Sequence, residues 1–146
     1  MIKRTLFLIF FYFGTIFVCI FFIPALILPQ KITLYGGKIL GFWSKFCLEI
    51  FLSTKVVVKG KEKILNNEKF FIASAHQSQF ETFFLQSLFN SPIFILKKEL
   101  LRIPIFGWHL KKIGSISIDR NKIAKENLNF LEKIKNHVKN SDRPII

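Results

Sequence analysis

The chain has 146 residues, of which 51% are hydrophobic and 16% aromatic, and it carries a formal net charge of +13. That length holds at most one domain plus a membrane segment. Its two cysteines, Cys19 and Cys47, both lie in apolar stretches without metal-like neighbours, which excludes a disulfide framework and reads as buried free thiols.

Lys and Arg outnumber the acids 22 to 9, and the excess is spread, with a net of +4 over residues 1–54 and +9 over residues 55–146. Part of it reflects a general abundance of Phe, Ile, Lys and Asn, the residues of AT-rich codons. A basic surface beside an apolar anchor suits anionic lipid headgroups and phosphate-bearing substrates. There is no zinc-finger spacing and no basic helix followed by heptads, so nucleic acid is not the expected partner.

Residues 5–28 run without a charge, preceded by Lys3-Arg4 and followed by Pro29-Gln30-Lys31. Roughly 20 apolar residues span a bilayer core, whereas a cleavable signal has an apolar region of about 7–15 residues and a small-residue site. An uncleaved anchor is therefore expected. Positive residues flank it on both sides, so the charge rule gives no orientation. Pro24 and Pro29 can bend the segment so that it enters and leaves by one face. Residues 32–52 are apolar and aromatic, with Lys38, Lys45 and Glu49 interspersed. Tyr35 and Trp43 have rings favoured at the headgroup level. An interfacial helix and a buried helix of the folded domain are both open readings. The chain divides accordingly into an anchor with an interfacial helix, 1–54, and a folded domain, 55–146.

Along the remainder, residues 55–60 (Lys-Val-Val-Val-Lys-Gly) read as a short strand closed by Gly60. Residues 70–75 read as an apolar buried strand, 80–89 as a helix, and 92–96 as another strand. Residues 100–113 read as helical, with Pro104 at a first-turn boundary. Residues 115–118 alternate like a strand. Residues 123–138 form an amphipathic helix with Ala124, Leu128, Leu131, Ile134 and Val138 on one face. Alternating strands and helices give an α/β domain with a mainly parallel sheet. Pro144-Ile145-Ile146 reads as the start of another buried strand. A domain rarely stops on the first residues of a core strand, so the chain is expected to be incomplete.

The chemistry concentrates in Ser74-Ala75-His76-Gln77-Ser78-Gln79-Phe80-Glu81. A neutral imidazole takes a proton from a hydroxyl near pH 7, and a carboxylate on its other nitrogen fixes the tautomer and stabilises the imidazolium. On one continuous helix, positions i and i+5 point about 140° apart. His76 and Glu81 therefore meet only if the chain turns between them. A strand ending near Ala75, a turn through Gln77-Ser78 and a helix from Gln79 would supply that turn. His109, beside Trp108 on an apolar stretch, and His137, on a lysine-rich helix, read as structural or exposed.

These residues carry a resemblance. The chain resembles the 1-acyl-glycerol-3-phosphate acyltransferases, within the wider glycerolipid acyltransferases. Their first block, His-x4-Asp, is matched by His76 to Glu81, with Glu replacing Asp as in a bacterial subgroup that carries His-Gln-Ser-x-x-Glu-Thr. Residues 97–108 (Lys-Lys-Glu-Leu-Leu-Arg-Ile-Pro-Ile-Phe-Gly-Trp) resemble the connector after that block. Gly114-Ser115-Ile116-Ser117-Ile118-Asp119-Arg120 matches the second block. The third block, Phe-Pro-Glu-Gly-Thr-Arg, normally follows the strand that Arg143-Pro144-Ile145-Ile146 would begin.

The resemblance implies an acyltransferase-type mixed or parallel sheet flanked by helices behind an N-terminal membrane helix, incomplete at the C-terminus. It implies transfer of a fatty acyl group from acyl-coenzyme A or acyl carrier protein to the free hydroxyl of lysophosphatidic acid, giving phosphatidic acid, with no cofactor or metal. His76 would be the general base and Glu81 its orienting carboxylate. Arg120 would hold the acceptor phosphate, with Lys97 and Gly114 also on the substrate side; a solvated surface lysine is the plain alternative for Lys97 or Lys98. Membrane phospholipids would be partners, and a bacterial inner membrane with the catalytic domain on the cytoplasmic side the location. Another lysophospholipid as acceptor, and a truncated remnant that only binds membranes, are the competing readings.

Overall fold

The computed structural model describes residues 2–60, 70–75, 78–89, 91–118, 126–141 and 143–146, with the side chains of 126–130 outside the described set. Helix α1 runs Ile2–Phe21 and a 3-10 turn follows at Ile23–Leu26. The helix stops short of Leu28 because Pro24, in the first turn of the 3-10 segment, has no N–H to continue the ladder. Helix α2, Gln30–Leu52, starts directly after Pro29 and ends at Ser53 in the left-handed conformation.

The two helices form an antiparallel hairpin. Near the turn, the Thr33 hydroxyl donates to the Ala25 carbonyl at 3.1 Å. Farther along, the Trp43 indole N–H donates to the Phe10 carbonyl at 3.3 Å, and the rings of Phe10 and Phe51 stack with centroids 4.8 Å apart. Gly14 permits this approach, since a Cβ there would sit 2.1 Å from Trp43 Nε1.

At 20 residues with mean hydropathy 2.1, α1 is long and apolar enough to cross a membrane by length and composition. Phe11, Gly14 and Cys19 are buried, while Phe13, Phe17 and Phe21 are exposed. Helix α2 buries Gly36, Leu40, Gly41, Ser44 and Cys47 and exposes Tyr35, Phe42, Phe46 and Ile50 on its opposite side. Its buried face packs both on α1 and on α3, Gln79–Leu88.

Strand β1, Ile95–Lys97, pairs in parallel with β2, Ile116–Ile118, in the register Ile95 to Ile116 and Lys97 to Ile118. Ile145 bridges in parallel to Ile93 on one side and to Phe71 on the other. Ile72 N donates to the Ile145 carbonyl at 2.8 Å, and Ile95 N to the Ile146 carbonyl at 2.7 Å. The hydrogen-bonded order is thus Phe71, Ile145, β1, β2, all parallel, with the latest segment in the chain seated between two earlier ones. Ile93, Ile116 and Ile145 form the core, and Ile134 and Val138 of α5, Glu126–Asn140, pack on it.

This is the mixed helix–strand architecture with a parallel sheet expected from the alternation of elements, with several local differences. Residues 55–59 form no strand: Val57 and Val58 are exposed, and the Val56 N–H goes to Glu49 Oε1 at 3.4 Å instead of to a ladder. The expected helix 100–113 is broken into a 3-10 segment, Lys98–Arg102, and α4, Phe106–Lys112. The 3-10 segment ends at an extended Ile103, and Ile105, which caps the start of α4, has φ of 61° and ψ of −59°, a positive-φ conformation rare for a β-branched residue. Leu131 is 51% exposed instead of facing the core; Ala124 and the side chain of Leu128 lie outside the described residues.

Candidate active site

In a parallel sheet, residues that follow the strands gather at the carboxyl edge, where ligands of open α/β folds bind. Here that edge is reached just after residues 70–75, at Lys97 and at Ile118. The motif follows the first of these strand ends in the sequence. Phe71 and Ile72 are held by the sheet, Ser78 is extended with φ of −152° and ψ of 164°, and α3 begins at Gln79. Glu81 sits in the first turn of α3, where the positive end of the helix dipole favours a carboxylate. The helix start matches the turn-then-helix expectation. His76 and Gln77 lie outside the described residues, as do Asp119 and Arg120 after β2.

Lys97 ends β1 on the same edge. Its ammonium lies 3.3 Å from Glu99 Oε1, with both side chains about half exposed, 53% and 49%. This is a solvated pair whose lysine stays within reach of the edge. A contact of that exposure contributes at most about 1 kcal/mol to stability.

Gly114 is elsewhere. It lies in the turn between α4 and β2 with φ of +83°, a conformation that a side chain disfavours. A Cβ on it would meet Gln30 Nε2 at 3.5 Å, Arg143 Nη1 at 3.8 Å and His137 Cε1 at 3.9 Å. This is the amino edge of the sheet, at the opposite end of the ladder from Lys97. The structure therefore does not bring Gly114 and Lys97 together.

Arg143 is the residue that reading the sequence missed. Taken for part of a turn, it is a part-buried guanidinium that donates from Nε to the Ser91 carbonyl at 2.5 Å, from Nη1 to Ile113 at 2.8 Å and from Nη2 to Pro92 at 3.1 Å. It thereby ties the entrances of three neighbouring strands. Burial pulls its pKa below that of a solvated guanidinium. No local sequence signal distinguishes such an arginine from a surface one, because its three acceptors lie 30 to 52 residues away.

His109 Nε2 donates to the Cys19 carbonyl at 2.9 Å, which assigns the proton to that nitrogen, since a carbonyl only accepts. The imidazole joins α4 to α1, a structural task. Among the described residues no group of three or more His, Cys, Asp or Glu side chains could hold a metal ion.

A family model described as Acyltransferase matches residues 55–146. A curated 1-acyl-sn-glycerol-3-phosphate acyltransferase from Pseudomonas aeruginosa is 38% identical over 82 residues, which cover 54% of this chain and 32% of that relative. The matched part thus spans about a third of the length of the curated relative. No solved structure matches.

Proposed function

The chain belongs to the Acyltransferase family, and we propose that it moves a fatty acyl group from an acyl thioester, acyl-coenzyme A or acyl carrier protein, to the free hydroxyl of 1-acyl-glycerol-3-phosphate, giving phosphatidic acid. The family match over 55–146 carries the acyl-transfer part of this reading. The name of the similar Pseudomonas protein supports the choice of acceptor.

In this mechanism His76 accepts the proton of the glycerol hydroxyl as its oxygen attacks the thioester carbonyl. The C–O bond forms, the C–S bond breaks, and the proton passes to the departing thiolate. Glu81 orients the imidazole and stabilises its positive form. No enzyme serine or cysteine is acylated, so Ser78 is a turn residue. Arg120 offers a planar pair of donors to the acceptor phosphate. Lys97 adds positive charge at the same edge of the sheet. Gly114 contributes through the turn that launches β2 toward Arg120, not by touching substrate.

Both substrates are amphiphiles, and residues 1–54 supply a membrane anchor for them to meet on. The apolar α1 and the exposed aromatic side of α2 suit insertion in a bilayer, with the folded part on the cytoplasmic face of a bacterial inner membrane.

The test is formation of phosphatidic acid by the natively expressed protein in vesicles containing lysophosphatidic acid, with acyl-coenzyme A and acyl carrier protein compared as donors. Thioester-dependent product that disappears in His76→Ala is the expected result. Product that persists in His76→Ala would refute the base assignment. Transfer to a different lysophospholipid alone would refute the acceptor.

A further inference from the structure

Between α1, α2, α3 and α4 lies a partly open apolar cavity. Val18, Leu40, Phe83, Phe106 and Leu110 supply much of its wall. Two polar side chains in the lining are committed elsewhere, Thr33 to the Ala25 carbonyl and His109 to the Cys19 carbonyl. Gln86 is different. It is 4% exposed, and among the described residues neither its Nε2 nor its Oε1 has a hydrogen-bond partner. Gly37 makes room for this amide, since a Cβ there would lie 2.9 Å from both Cγ and Nε2 of Gln86.

An amide whose donor and acceptor are both orphaned in an apolar wall carries the full desolvation penalty of each. That penalty is relieved by a ligand group that complements both atoms at once. A hydroxyl does so, donating to Oε1 while accepting from Nε2. A ketone, ether or ester oxygen answers only Nε2 and leaves Oε1 orphaned. A carboxylate cannot donate and would enter charged, at high cost.

We propose that this cavity is a binding site for an aliphatic chain bearing a hydroxyl group, with Gln86 as the residue that selects the hydroxylated chain over the plain one. As a statement about the acyl groups transferred, this rests on the acyl-transfer reading. As a statement about binding, it does not. Thr82 lines the cavity next to Glu81, and Gln86 lies one helical turn beyond Thr82 along α3, about 6 Å down the helix axis. A chain entering from the motif end reaches the amide part-way along its length.

The test is binding to the full chain in detergent micelles, with glutamine side chains labelled with nitrogen-15 and the Gln86 signal assigned by its loss in Gln86→Leu. The probes are methyl myristate and its hydroxylated analogues, with the hydroxyl moved along the chain. For at least one hydroxyl position, the Gln86 amide signal is expected to shift and to saturate at roughly ten-fold lower probe concentration than with methyl myristate, a difference of about 1.4 kcal/mol. Gln86→Leu, and the near-isosteric Gln86→Met as a second variant, are expected to bind all probes alike.

Equal binding of every probe by the wild-type protein would overturn the proposal. So would a preference that survives both variants, or a Gln86 signal that contacts only a trapped water and ignores all probes. Loss of acyl transfer with the hydroxyl preference intact would count against the catalytic reading and not this one. Acyl transfer without the preference would count against this one alone.

Discussion

The phenol of Tyr12 donates to Oε1 of Gln79 at 2.9 Å, joining the middle of α1 to the first residue of α3 across 67 positions of sequence. Helix α1 therefore touches the chain two residues before Glu81. Tyr12→Phe removes one exposed hydrogen bond, which costs about 0.5–1 kcal/mol of stability. The rate of acyl transfer is expected to fall several-fold more than that small stability loss explains, because the turn holding the motif loses a support. Thermal unfolding and product formation measured side by side decide this. An unchanged rate would show that α1 does not position the motif.

Glu81→Gln keeps the size of the side chain and removes its charge. Without a carboxylate to stabilise the imidazolium, kcat is expected to fall by about 10²–10⁴, while the unfolding midpoint stays within a few degrees of the wild type. A steady-state assay beside a melting curve reads both. A rate within two-fold of the wild type would remove Glu81 from the mechanism.

Arg143→Met strips three carbonyls, those of Ser91, Pro92 and Ile113, of their donor. The cost expected is about 2–4 kcal/mol, since each orphaned acceptor is penalised while the buried charge is also removed. Arg143→Lys should recover less than half of it, because a single ammonium does not reproduce the planar fork. Denaturant titration of the three proteins gives the comparison.

Two glycines separate packing from backbone strain. At Gly41 a Cβ would lie 2.6 Å from Ser87 Cβ and 2.7 Å from the Phe83 carbonyl oxygen, so Gly41→Ala forces α2 away from α3 and should cost about 1–3 kcal/mol. At Gly60 nothing among the described residues lies within 4 Å, but φ is +81°, so Gly60→Ala should cost only the backbone term of about 1–2 kcal/mol. Because α2 and α3 wall the cavity, Gly41→Ala should also change chain binding, and Gly60→Ala should not.

Cys47 is fully buried. Its alkylation, followed by mass spectrometry, should therefore be much slower in the folded protein than in the denatured protein. Equal rates in the two states would contradict the packing of α2.

Much of the local structure was legible in the residues. The uncharged apolar run determines α1, because a helix of that composition satisfies its own backbone wherever it is placed. The start of α3 at Gln79 and the amphipathic α5 are written in short-range patterns, and so is the parallel α/β class, through the alternation of elements. Val56, Val57 and Val58 mislead because β-branched residues indicate a strand only when another strand is there to pair with. Leu131 misleads because a helical stripe is wider than the surface it meets.

The tertiary structure alone decided the strand order. Pro144-Ile145-Ile146 reads the same whether it lies at an edge or in the centre, and only the partners at Phe71 and Ile93 place it between them. The parallel pairing puts Ile72, Lys97 and Ile118 toward one edge and sends Gly114 and Arg143 to the other. It also turns Arg143 from a turn residue into the tie of three strand entrances. The cavity around Gln86 depends on four helices, and its orphaned amide is invisible in a sequence where Gln86 is one polar residue on a mostly apolar helix. In each case the reason is the same: hydrogen-bond partners and walls are supplied by segments tens of residues away, and no local pattern records which of them will arrive.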